Sequence, residues 1–119
     1  MKDAKLDVVA WKDFHDKRPG KLIGFGQCAT GNDWHNKRTD LQPLDWCRHW
    51  MRDVPLVPPQ RMFFVPHRIE PDEWSITSTA AGLTFDRCRT SKHASLVDNN
   101  AKKQAGLWSA AVLKGLRRR

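Results

Sequence analysis

Asp7 and Gln27 are the two side chains whose positions can assemble a centre for chemistry. Asp7 lies in the β-forming run Leu6-Asp7-Val8-Val9-Ala10-Trp11. Gln27 closes a second apolar run, Lys21 to Cys28, just before the small-residue turn Ala29-Thr30-Gly31. If the two runs pair as an antiparallel hairpin, the start of one lies beside the end of the other. A carboxylate and an amide oxygen then converge on one cation. A hard ion such as Mg²⁺ takes oxygen ligands and keeps several waters, so few protein ligands suffice. A metal-bound water becomes the nucleophile for phosphodiester hydrolysis, and a nearby lysine stabilises charge or orients that water. The plainer reading is that Asp7 flanks a turn and Gln27 is a satisfied polar residue at a strand end. Spacing alone favours the plainer reading.

Other chemistries have weaker signals. Cys28, Cys47 and Cys88 form no CxxC pair, and neither Cys28 with His35 nor Cys47 with His49 has zinc-ligand spacing. Free, buried or half-buried thiols are expected, in a reducing compartment. The loop GQCATG lacks the order of a P-loop, and no GxGxxG occurs. Of Trp11, Trp34, Trp46, Trp50, Trp74 and Trp108, most are expected in the core because each ring buries so much area. Trp34, next to the joint, is the one left open between core packing and stacking on a base.

Charge divides the chain unevenly. Residues 1–86 balance their acids and bases, whereas residues 87–119 carry Arg87, Arg89, Lys92, Lys102, Lys103, Lys114, Arg117, Arg118 and Arg119 against the single acid Asp98. The formal net charge of +8 therefore lies in the last quarter. Such an asymmetry points to a polyanion, nucleic acid first and anionic membrane second, with a solvated tail as the alternative. No apolar run approaches the roughly 18–20 residues that span a bilayer, and MKDAKLDVVAW has no signal-peptide pattern. A cytoplasmic protein with no membrane partner is the expectation.

The elements that position these residues follow from pattern and punctuation. Two strands flank the turn Asp16-Lys17-Arg18-Pro19-Gly20. Asn32 caps a helix through Leu41, and after Pro43 a second helical piece runs Leu44 to Asp53. Val54-Pro-Leu-Val-Pro-Pro is a loop, because Pro has no ladder donor and breaks helices. Arg61 to Pro66 reads as a buried strand. Pro71 starts a helix through about Ala81, with Gly82 as its stop. Leu83 to Cys88 reads as a last strand. Ala101, Ala105, Trp108 and Val112 then line one face of a terminal helix. The order β-β-α-α-β-α-β-α predicts an α/β fold, a single central mixed sheet of about four strands flanked by helices. Residues 1–95 form the core, and 96–119 a basic amphipathic helix of the same domain.

The LDVVAW strand, the turn and the apolar strand ending in Gln27-Cys28 resemble the Mrr-like branch of the PD-(D/E)xK restriction-endonuclease superfamily. The resemblance spans roughly Leu6 to Leu41, and the RMFFVP and LTFDRC strands are consistent with the rest of such a sheet. It implies Asp7 as metal ligand, Gln27 as the second motif member, and Mg²⁺ as cofactor. The lysine expected two residues after Gln27 is replaced by Ala29. In this superfamily that lysine moves onto neighbouring elements, which makes Lys37 its candidate; a solvated helix residue is the equal alternative. The glycine-rich lead-in before the aspartate, and the helix that precedes it, have no counterpart here. The resemblance thus implies a core incomplete at its N-terminus, part of a longer protein or a shortened descendant.

The leading expectation is Mg²⁺-dependent DNA hydrolysis by Asp7, Gln27 and Lys37, in an intact or impaired core. Lys102, Lys103, Lys114, Arg117, Arg118 and Arg119 would hold the phosphates. Enzymes of this class often pair to cut both strands, so a homodimer is considered. Two alternatives stand beside it: an inactive nucleic-acid-binding module, and a protein-interaction subunit docking through Ala105, Trp108 and Val112.

Overall fold

Glycine alternates with larger residues along Leu22-Ile23-Gly24-Phe25-Gly26-Gln27-Cys28, and that alternation becomes the division of a sheet into two faces. The computed structural model describes residues 5–96 and, beyond them, 100, 103, 104, 106, 107, 110, 111 and 114. Strands β1 (Val8–Lys12), β2 (Leu22–Cys28), β3 (Gln60–Phe64) and β4 (Leu83–Phe85) form one mixed sheet in the order β1-β2-β3-β4. β1 and β2 are antiparallel, with Val8 opposite Gly26 and Trp11 opposite Ile23. β2, β3 and β4 are parallel, with Gln27 opposite Phe63 and Phe63 opposite Thr84. The described helices are α1 (Pro43–Trp50), α2 (Pro71–Ala81) and α3 (Arg87–Ala94), an α/β arrangement as expected.

α1 and α2 pack on the face of the sheet that carries Phe25, Gln27, Phe63 and Thr84. One cluster joins Phe25, Leu41 and Cys47, with Trp46 meeting Phe25 edge-on at 5.3 Å. A second joins Ala29, Trp34, Phe63, Val65, Ile69 and Ala81. On the opposite face Gly24 and Gly26 leave room for Met62 and Phe64 to lie flat. A Cβ on Gly24 would come within 2.7 Å of the Met62 methyl, and one on Gly26 within 2.7 Å of the Phe64 ring. Phe64 in turn stacks on Phe85 at 5.0 Å.

α1 and α2 begin at prolines in the N1 or N2 position, where the missing N–H costs nothing. α2 ends where Gly82 takes φ +90°, and Arg61 donates from its guanidinium to the Ala80 carbonyl. That contact closes an otherwise orphaned carbonyl at the negative end of the helix. Burial lowers the Arg61 pKa from its ordinary value.

Three expected elements differ, the first being the helical piece expected from Leu44 to Asp53, which ends at Trp50 with Met51 extended. The helix expected from Asp33 to Leu41 is only a 3-10 turn, Trp34–Lys37. Arg38 Nε donates to the His35 carbonyl and Gln42 Nε2 to that of Thr39, so side chains take acceptors that a longer helix would need. Pro43 also holds Gln42 extended. The strand expected through Cys88 stops at Phe85. The Asp86 carboxylate accepts the Ile69 N–H at 3.1 Å and the Arg87 N–H donates to the His67 carbonyl at 2.9 Å. Those bonds turn the chain out of the sheet and into α3.

The chain divides into two compact units, Met1–Cys88 and Arg89–Arg119. In the second, Asn100, Lys103, Gln104, Gly106, Leu107, Ala110, Ala111 and Lys114 are helical and exposed. Ala101, Ala105, Trp108 and Val112, the apolar stripe read from the sequence, lie outside the described residues.

Candidate functional site

Asp7 meets the end of β2 as the hairpin demands, but through the backbone. Its N–H donates to the Gly26 carbonyl at 2.9 Å, although Val8 is already the partner of Gly26. Two successive residues thus face one, the arrangement of a β-bulge, which re-aims a side chain at a strand end. Asp7 Oδ2 then accepts the Cys28 N–H at 2.8 Å, adding one rung where the β1 backbone has left the ladder. The carboxylate itself is exposed.

Gln27 points to the helix-covered face and is 4% exposed. Its Oε1 is buried with no hydrogen-bond partner among the described residues. An orphaned buried oxygen costs roughly 1–3 kcal/mol and is the kind of group a ligand or ion could satisfy. Ala29, where the resemblance expects lysine, is 1% exposed and packed in the cluster of Trp34, Phe63 and Val65. Lys37 is half-buried at the end of the 3-10 turn, and its ammonium makes no ion pair with a described residue. Trp34, left open by the sequence, is buried in the core.

As a Mg²⁺ centre this set fits only in part. Asp7 and Gln27 supply two oxygen donors at one end of the sheet. One oxygen of Asp7 is taken by Cys28, however, and the Gln27 oxygen is shielded from solvent. Among the described residues no group of three or more His, Cys, Asp or Glu could hold a metal ion. Thiol chemistry is disfavoured as well. Burial, and then the Asp7 charge, push the Cys28 thiol above its ordinary pKa, and burial raises that of Cys47. A raised thiol pKa means less thiolate at neutral pH and a weaker nucleophile.

The loops after the parallel strands hold a cluster that the sequence did not single out. His35 lies against Trp34 with ring centroids 3.7 Å apart, and His67 flanks the same indole at 5.0 Å. His35 Nε2 is 3.6 Å from Glu73 Oε1 on α2, in a half-exposed pair. The carboxyl ends of parallel strands are where ligands bind in open α/β sheets. The loops following LIGFGQC and RMFF were therefore the signal that could have pointed to His35 and His67.

Of the expected phosphate-binding residues, Lys103 and Lys114 are exposed on helical positions of the second unit. Lys102, Arg117, Arg118 and Arg119 lie outside the described residues. No protein-family model, curated protein or solved structure matches the chain.

Proposed function

We propose that the chain binds nucleic acid, DNA first, on a restriction-endonuclease-like core whose hydrolytic centre is impaired. The observation that carries the impairment is the burial of Ala29: the position for the charge-stabilising lysine serves as core packing. Asp7 likewise completes the β1–β2 ladder. The basic excess of residues 87–119 supports the polyanion, and contacts of lysine and arginine with phosphates give affinity without sequence readout. Affinity for a DNA duplex, measured by fluorescence anisotropy, is expected to fall steeply as salt rises. Plasmid DNA incubated with the protein and Mg²⁺ or Mn²⁺ is expected to stay intact. Absence of binding even at low salt would sink the reading.

A second reading, Mg²⁺-dependent phosphodiester hydrolysis, is favoured by the unpartnered Oε1 of Gln27, on the strand whose end Asp7 meets. Asp7 and Gln27 would hold the ion, which when bound supplies a Lewis acid and an activated water. Lys37 would be the assisting cation. Plasmid nicking by the wild type that disappears in Asp7→Ala selects this reading over the first.

A further inference from the structure

The end of the sheet where β2 and β3 begin is unlike the end that carries Asp7. Trp11, Phe14 and Leu56 are 67%, 57% and 74% exposed, and Leu22, Val54 and Val57 are exposed as well. The β1–β2 loop leans on the second loop: a Cβ placed on Gly20 would lie 3.7 Å from Val57 and 3.9 Å from Leu56. The loop is also folded rather than merely long. Asp13 and Asp16 accept the N–H groups of His15 and Arg18, each at 3.0 Å, while His15, Lys17 and Gly20 take positive φ. Lys12 lines a hollow with Trp11 and Leu22, Lys21 lines another with Trp11 and Pro55, and Lys17 and Arg18 share a cleft with Lys21; none of these cations is in an ion pair with a described residue. Asp13 and Asp16 each turn one oxygen to the loop backbone, and Arg52 and Asp53 offset each other in formal charge. The excess is cationic.

We infer that this end docks on an anionic lipid surface, with Phe14, Leu56 and Val57 entering the headgroup boundary and the four cations meeting lipid phosphates. Two classes of polyanion match the cations, and the apolar residues separate them. Bases stack on aromatic faces, so a nucleic acid has a use for Trp11 and Phe14 but none for exposed Leu56, Val57 and Val54. Aliphatic and aromatic side chains ringed by Lys and Arg are what a membrane interface takes up together. Exposed apolar patches of this kind mark an interaction site. The charge of the whole chain ranks nucleic acid before membrane; at this end the order is reversed.

The test is co-sedimentation of the full chain with phosphatidylcholine vesicles, with and without phosphatidylserine, together with tryptophan emission. Binding and a blue shift are expected only with phosphatidylserine. The double variant Phe14→Ser/Leu56→Ser, checked for folding by circular dichroism, is expected to lose roughly tenfold or more in affinity. Lys17→Glu/Arg18→Glu is expected to weaken binding, while Lys103→Glu/Lys114→Glu leaves the blue shift in place. Failure of the wild type to sediment overturns the inference, and so does undiminished binding by Phe14→Ser/Leu56→Ser, which would assign the lipid to the basic C-terminal quarter. If those two serines instead weaken oligonucleotide binding, the surface belongs to nucleic acid; if they convert a dimer to a monomer, it belongs to a second copy.

Discussion

Phe25, Phe63 and Thr84 are buried beneath α1 and α2, whereas Met62, Phe64 and Phe85, one residue away on β3 and β4, are half-buried on the other face. The same strands supply both faces, so the difference lies in what packs on each. Under the helices, side chains interlock: Ala29, Trp34, Phe63 and Val65 leave no space for a longer residue at position 29. On the opposite face the filling comes from within the sheet, since Met62 and Phe64 fold down over Gly24 and Gly26. Consecutive residues Gln27 and Cys28 illustrate the result. One is sealed in with an unpartnered oxygen, and the other is exposed beside a carboxylate.

The largest contrast comes from placing one lysine on each face. Ala29→Lys is expected to cost about 3–5 kcal/mol, because it drives an unpaired ammonium into the packed cluster. Cys28→Lys, on the other face, is expected to cost under about 1 kcal/mol. Urea unfolding followed by tryptophan fluorescence measures both, and equal midpoints would erase the distinction between the faces. The first variant has a second use. Nicking activity appearing in Ala29→Lys would mean that this position can still serve a reaction.

A smaller effect probes how the second face is filled. Gly26→Ala is expected to cost about 1–3 kcal/mol, since its methyl meets the Phe64 ring. In a Phe64→Ala background most of that cost is expected to vanish, leaving only the tighter fit against Val8, 3.1 Å away. A double-mutant cycle returning no coupling would show that the ring is not what makes glycine necessary.

The smallest effect is chemical. The Cys28 thiol, on a residue that is exposed overall, is raised first by partial burial and then by Asp7, so thiolate is scarce near neutral pH. Asp7→Asn keeps an oxygen acceptor for the Cys28 N–H but removes the charge, and is expected to lower the thiol pKa and speed alkylation. Rates followed by peptide mass mapping from pH 7 to about pH 10 separate Cys28 from Cys88. For stability the sign is the reverse of a salt-bridged acid. A thiol raised in the folded state contributes most below its unfolded pKa, and that contribution is lost as pH climbs through the folded value. Unchanged alkylation in Asp7→Asn would leave burial as the whole cause.

Much of the architecture was legible because it rests on local chemistry. Pro71 and Gly82 bound α2 as their backbone preferences require, and the apolar runs became strands within a residue or two. What escaped depended on partners distant in sequence. Leu83 to Cys88 looks like one strand until Asp86 finds the Ile69 N–H, a bond no local pattern announces. The glycines of LIGFGQC look like flexibility, yet their reason is the side chains of β3. That Asp7 reaches the end of β2 was legible from the hairpin. The bulge that sends Asp7 toward the Cys28 backbone was not, nor was the pairing of His35 with Glu73.

The strand order also sets a timetable. β1 and β2 are joined by residues 13–21 alone and pair locally, an event of about 1–10 μs for a hairpin. β3 is separated from β2 by residues 29–59, and that long parallel closure must be completed before its contacts reward it. On a growing chain the hairpin emerges and zips first, so β3 arrives at an edge already laid down. The capture of Met62 and Phe64 by two waiting glycines is then the expected slow step of folding.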